Sequence, residues 1–405
     1  MQIAPLGAIC FLWNSSLFMV QICEYALWGI GMGWIRNLRS GAVVMAVVLL
    51  AACQATGKGS LPGVAGQERI VKVDRLSLEV PDAWGGEVRC AAAMGCRLVV
   101  VEHETSMLVL IQLGPGRSAR VLDKQKLAYH PDGAAWLSDD LVVAAVEASQ
   151  SLDVYRVEEG HLRRVEQIVV GIPPRDVMVA SAGQGRYRLL ATPYSGKTVV
   201  WVDYVPGEPT ATRINRREWC EGPWHPERLP RAPGAPAGGV AVACLDDQKV
   251  VFVDDDDLLG EPRTLMRVPG QYRIVSRQAK VSPSGRWLYV ALETGERNIR
   301  VDMDSGELQW LNLPRIGAVS VVALKDDLVV WGDDLDLYFQ RFGPQGEVLE
   351  TRWLPVGGFA TELQLQDVDG DGQEDLVVLH SGSLPEKKTG VEVIYGPLWE
   401  RAEVR

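Results

Sequence analysis

A short apolar run is written seven times along this chain. The copies occupy residues 97–101, 141–145, 187–191, 239–243, 287–291, 327–331 and 375–379. Each is rich in Val, Leu and Ala, is too brief for a helical period and is bounded by turn residues, which reads as a buried strand. A second element recurs beside it: an alternating strand, a Gly turn and another strand, as at 154–162 and 301–308. The turn glycines are Gly116, Gly160, Gly207, Gly260, Gly306, Gly346 and Gly396, spaced 40 to 53 residues apart. Tight hairpins need positive φ, which glycine supplies without a Cβ clash.

A single small sheet cannot bury both of its faces, but sheets stacked radially can. The spacing therefore predicts an all-β chain folded as a seven-bladed β-propeller over 67–405, with continuously apolar inner strands and alternating outer ones. Residues 68–80 alternate and are expected to supply a strand that helps close the ring. A two-sheet sandwich is the rival; it does not predict the regular spacing. Composition agrees with a folded chain, at 47% hydrophobic and 23% charged. Thirteen Trp against six Phe fit an extracytoplasmic binding or repeat protein better than a helical enzyme. The net charge of −11 argues against nucleic acid as the partner.

Residues 1–52 differ from the rest. Arg36 and Arg39 precede an apolar run at 41–50, which ends in Leu50-Ala51-Ala52-Cys53-Gln54. The run is shorter than the ~20 residues a membrane span needs and has the length of a signal-peptide core. Small residues directly before Cys53 resemble the lipobox of bacterial lipoproteins. That resemblance implies that Cys53 becomes the acylated first residue of the mature chain, held to the membrane at about 0.8 kcal/mol per buried CH₂. Gln54, rather than Asp, implies by the same resemblance transfer to the outer membrane, facing the periplasm or the cell surface. Residues 1–31 fit no part of a signal peptide, and translation is expected to start at Met32, with 1–31 a start-site artefact; the alternative is a membrane helix around 4–31. Residues 53–66, rich in Gly, Ser and Ala, read as a flexible tether.

Cysteine usage points the same way. With Cys10 and Cys23 in the leader and Cys53 carrying lipid, Cys90, Cys96, Cys220 and Cys244 remain. An even number in an exported chain predicts two bridges, and nearest-neighbour pairing gives Cys90–Cys96 and Cys220–Cys244. Buried free thiols are the alternative. No CxxC occurs and the five His are scattered, so zinc is not expected.

The sharpest motif is D-x-D-x-D-G-x-x-D at 367–375. Carboxylates at alternate positions of a tight loop converge on one point, which suits a hard cation such as Ca²⁺. Asp367, Asp369, Asp371 and Asp375 are the expected side-chain ligands, with the Gln373 carbonyl as a fifth; Gly372 permits the turn. Position twelve of an EF-hand would be acidic, but here it is Val378. The loop and the Leu376-Val377-Val378 that follows resemble the calcium loops of FG-GAP and VCBS repeats in integrin-type propellers, as does Tyr395-Gly396-Pro397-Leu398. The resemblance is confined to the last blade and implies a structural calcium ion. Asp254 to Asp257 is a weaker candidate without the spacing or the Gly.

Other signals are weaker. Ser195-Gly196-Lys197-Thr198 lacks the earlier Gly of a phosphate loop. The turn from Asp302 to Trp310 resembles the tryptophan-docking turn of quinoprotein propellers, but no vicinal Cys pair accompanies it. No Ser/His/Asp set can be singled out. Residues 213–239 interrupt the repeat and read as an inserted binding loop, with Arg216, Arg217, Trp219, Trp224, His225 and Arg228 as partner-binding candidates. The leading expectation is a non-catalytic envelope scaffold that binds a protein or glycan partner and holds one structural Ca²⁺. The alternative is a propeller enzyme, a glycan or lactone hydrolase or a quinone-cofactor protein, with its site at the central channel. A cluster of His and acids at the channel mouth would favour the enzyme.

Overall fold

Alternate residues of each apolar run face opposite neighbours, and this decides the architecture. In strand Gly95–Glu102, Leu98 and Val100 share a buried cluster with Val377 and Leu379. Val99 and Val101 share another with Val142 and Ala144. The same division holds in Leu141–Val146, where Val143 and Ala145 pack toward Leu189 and Ala191. A strand buried on both faces must be apolar at every position, which is why these runs do not alternate.

The computed structural model describes residues 74–402, except 93, 194, 230–237, 255–256, 269–275, 294–296, 313–316 and 382–388. The leader, the tether and Cys53 lie outside the described residues. The described chain forms seven antiparallel four-stranded sheets. Blades 1 to 6 cover 83–126, 131–169, 174–218, 223–267, 276–312 and 320–355. Blade 7 takes three strands from 359–394 and its outer strand, Arg75–Leu78, from the start of the described chain. Arg75 pairs with Ile394 and Leu78 with Val391, so the two ends of the domain close the ring on each other. The fold is a seven-bladed β-propeller.

Seven buried clusters occupy the seven seams between neighbouring blades. Each fully buried Val, Leu or Ile contributes ~1.5–3 kcal/mol over leaving it exposed. The seven apolar runs prove to be the second strands of their blades rather than the innermost. The first strands are innermost, since each contacts the first strands of the blades on either side. The seven turn glycines all follow the third strand of a blade. Gly396 does so at the point where the chain leaves the last sheet.

Candidate functional site at one end of the axis

The innermost strands carry the polar residues of the axis, and a shared irregularity aims them. Six of the seven break register near their first residues: between Ala83 and Gly86, Pro131 and Ala134, Pro174 and Asp176, Trp224 and Pro226, Ser276 and Gln278, and Ala360 and Glu362. Such bulges re-aim side chains and end pairing locally. All six lie at the same end of the ring, because every innermost strand enters from that end. Two glycines let the bulged strands close in. A Cβ on Gly85 would collide with the Asp132 carbonyl, and one on Gly133 with the Asp176 carboxylate and the backbone before it.

The mouth so formed gathers Trp84, His103, His130, Asp132, Arg175, Asp176, Trp224 and His225 from four blades. The buried Asp132 carboxylate is clasped between the His103 imidazole and the Arg175 guanidinium. The His103 and His130 rings meet edge to face, with centroids 4.0 Å apart, and Trp84 lies 5.1 Å from His103. His130 Nδ1 is 2.8 Å from Glu147 Oε2. Tyr129, two-thirds exposed, lies beside His130. Across the mouth Trp224 stacks on His225, and the Arg175 guanidinium lies over the Trp224 ring. His225 Nδ1 is 3.2 Å from Asp176 Oδ2. Burial, then the Arg175 charge, lowers the His103 pKa, and burial with the neighbouring His103 lowers that of His130.

Further along the axis Lys280 Nζ lies 2.8 Å from Glu227 and 3.8 Å from Glu362. Gln278 donates to both Glu362 oxygens at 3.1 and 3.2 Å and accepts the Val321 N–H at 2.7 Å. Burial works against the Lys280 charge, but Glu227 and Glu362 outweigh it and raise its pKa. Burial raises the Glu362 carboxyl despite Lys280. These axial side chains keep some exposure, from 11% at Glu362 through 15% at His225 to 23% at Lys280, so water reaches them along the channel. Asp176, Glu227, Glu362 and Glu87 outnumber Lys280, which makes the channel acidic and unsuited to a polyanion.

The 367–375 loop sits at the other end, joining the first and second strands of blade 7. Asp367, Asp369 and Asp375 each bring a carboxylate oxygen within 4.8 Å of the others; Asp371 is not in that group. The loop is held by its own backbone. Asp367 accepts the Gly370 and Gly372 N–H groups at 2.8 and 3.0 Å, and Asp371 accepts that of Gln373 at 2.8 Å. The wholly buried Asp375 accepts from Val368 at 2.8 Å and Gly396 at 2.9 Å, and burial raises its pKa. Arg117 Nε approaches Asp369 at 3.1 Å. Three converging carboxylates suit a hard cation, so the loop fits Ca²⁺ in its donor chemistry.

The inserted binding loop is not found as such. Residues Arg213–Glu218 are the outer strand of blade 3 and Pro223–Leu229 the innermost strand of blade 4. The six candidates are therefore divided between rim and axis and do not form one surface. Arg216 and Arg217 lie on the rim, bonded to the Val170 and Leu259 carbonyls, while Trp219 is buried against Trp201. Trp224 and His225 belong to the mouth; Arg228 lies further along the same strand. The additional length falls after Leu229, at 230–237, outside the described residues. Two disulfides are present. Cys90–Cys96 joins paired positions of a blade 1 hairpin next to the acidic loop. Cys220–Cys244 pins the crossover into blade 4 just before Trp224. Sequence reasoning missed His103, His130, Asp132, Arg175, Asp176, Glu227, Lys280 and Glu362, because nothing local marks a bulge.

No protein-family model matches the chain, nor does any curated protein. Solved structures match it in fold. Virginiamycin B lyase from Staphylococcus aureus superposes with a TM-score of 0.56 at 11% identity, over 80% of this chain and 99% of that one. Hydrazine synthase of Kuenenia stuttgartiensis gives 0.58 at 12%, over 84% and 99%. Pseudomonas aeruginosa periplasmic gluconolactonase gives 0.52 at 16%, over 67% and 85%. At these identities the likeness is one of fold: all three share the propeller architecture of this chain.

Proposed function

We propose that this chain is an exported lipoprotein propeller that binds a small, hydroxyl-rich ring compound, of the glycan or lactone class, at the channel mouth. One observation carries the reading: bulges at one end of six inner strands bring aromatic rings, imidazoles and carboxylates from four blades together, with Tyr129, His130, Asp176 and His225 keeping contact with water. Trp84 and Tyr129 offer flat apolar faces to a ring, and His130, Asp176 and His225, which keep some exposure, offer hydrogen bonds to its hydroxyls, with the buried Trp224, Asp132 and Arg175 packed behind them. The excess of carboxylates disfavours anionic ligands. Cys53 anchors the chain in the envelope by its lipid, and the 367–375 loop holds a structural Ca²⁺ that fastens the first two strands of the last blade. The test is binding to a panel of envelope oligosaccharides and aldonolactones, followed by calorimetry, with the parent and Trp84→Ala. Binding to the parent that Trp84→Ala weakens at least tenfold supports the mouth. Unchanged binding in the variant, or none to the parent, removes it. Palmitate labelling that survives Cys53→Ala would remove the anchor.

The His225–Asp176 pair supports a second reading, hydrolysis of the bound ring. Asp176 would hold the imidazole while its Nε2 takes a proton from attacking water, a role that contributes about 10²–10⁴-fold. Lactone hydrolysis by the parent that falls by that factor in both His225→Ala and Asp176→Asn supports it. Binding without turnover leaves the non-catalytic reading standing.

A further inference from the structure

We infer that His103, His130 and Asp132 form a binding site for a borderline divalent transition metal, of the Zn²⁺ or Co²⁺ class, at the channel mouth. One ligand atom from each of the three lies within 4.8 Å of the other two. The residues come from two blades: His103 follows the second strand of blade 1, and His130 and Asp132 stand at the entry to blade 2. Two imidazoles and one carboxylate are the donor set of a three-ligand zinc site with an open fourth position, whereas Ca²⁺ or Mg²⁺ would prefer oxygen alone. The site is therefore chemically distinct from the acidic loop at the other end of the ring.

Three features of the surroundings prepare these groups for a cation. First, the His130 ring is already oriented. Glu147 Oε2 holds its Nδ1 at 2.8 Å, which leaves Nε2 as the coordinating atom, the arrangement in which an outer carboxylate fixes a metal-binding imidazole. Second, the His130 backbone has φ +66°, a left-handed conformation that a side chain with a Cβ seldom adopts. Strain of this kind collects at functional sites. Third, Asp82, Glu104, Asp132 and Glu147 surround the pair of imidazoles, against the single charge of Arg175. Arg175 engages the second oxygen of Asp132, so it orients the carboxylate without occupying the oxygen that faces His103.

The open position would face the channel water and lend the proposed ligand a site for one oxygen. In that role the inference rests on the mouth being the ligand site; metal binding itself does not. The test uses the mature chain from Cys53 onward, freed of metal by chelation and kept in excess Ca²⁺ so that the acidic loop is occupied. Zn²⁺ is titrated calorimetrically, and Co²⁺ is followed by its visible absorption, without any organic ligand. One equivalent of Zn²⁺ is expected, with a Co²⁺ spectrum typical of four-coordination. His103→Ala and His130→Ala should each lose measurable binding, and Glu147→Gln should weaken it by about tenfold. Half-buried His130 is the safer variant for folding, which circular dichroism checks. No Zn²⁺ binding by the parent, or equal binding by folded His130→Ala, overturns the site. Because no glycan or lactone is present, failure here leaves the ligand reading standing, and failure of that reading leaves this one.

Discussion

Asp176 and His225 meet across a blade boundary, with carboxylate and imidazole 3.2 Å apart at the mouth of the channel. Each sits at a register break, one after Pro174 in blade 3 and the other after Trp224 in blade 4. The pair thus depends on two irregularities in different sheets. At that distance the carboxylate and the imidazole are energetically coupled. A double-mutant cycle of His225→Ala and Asp176→Asn, read by denaturant unfolding, should give a coupling of about 1 kcal/mol. Additive effects would show that the two groups act separately.

Calcium should stabilise the domain through the 367–375 loop. A ligand that binds only the native state contributes about 2.7 kcal/mol at a hundred times its Kd, and extracellular calcium modules bind at about 10⁻⁴–10⁻³ M. The parent is expected to melt higher with calcium than with chelator. Asp369→Asn should abolish the difference while changing the calcium-free melt little. Asp371→Ala, outside the converging trio, should retain part of the calcium gain. Asp375→Asn should melt lower even without calcium, because Asp375 also fastens the Val368 and Gly396 amides. Equal melting of the parent with and without calcium would remove the ion.

The two disulfides should contribute unequally. By loop-closure entropy a separation of 24 residues is worth about 3.4 kcal/mol and one of six about 2.2 kcal/mol. Replacing Cys220 and Cys244 by Ser should therefore destabilise more than replacing Cys90 and Cys96. Only the first pair should also weaken binding at the mouth, since it pins the segment leading to Trp224 and His225. Urea melts of the two double variants, with ligand titrations beside them, check both statements.

The architecture was legible because burial on both faces leaves a mark on composition. Val99 and Val100 point into different seams, so neither position could be polar, and seven such runs reveal seven blades. The closing strand was legible at Leu76 and Leu78 from their alternation. The site was not legible, for a physical reason. A bulge is set by how a strand pairs with its partner, and pairing is not written at the bulge itself. Asp132, Arg175 and Glu227 lie in three blades and read separately as polar residues near prolines; of the mouth, only Trp224 and His225 stood out as binding candidates. Pro223 and Pro226 also disguised an innermost strand as a loop, although proline is tolerated at a strand's first residue and beside a bulge. The arginines of 213–218 did the same for an outer edge strand, where charge discourages edge-to-edge pairing.

Glu87, on the innermost strand of blade 1, gives a pH dependence of known sign. Its Oε2 accepts the Trp136 amide N–H at 2.7 Å, and its backbone carbonyl accepts the Trp136 indole N–H at 3.0 Å. Burial raises its carboxyl pKa, and the pull of the Trp136 amide, Arg89 and Lys280 in the other direction does not cancel this. A carboxyl that holds its proton more tightly in the folded chain favours folding in acid, and that contribution is lost as pH rises through its folded pKa. Glu87→Gln keeps an acceptor for the Trp136 amide and removes the charge. Below about pH 4, under the unfolded pKa of Glu, parent and variant should melt together. Above it the variant should gain on the parent as pH rises, and then hold a constant advantage. A variant that loses ground as pH rises would mean that the ionised carboxylate is stabilised by Lys280 and Arg89 more than burial penalises it, reversing the sign.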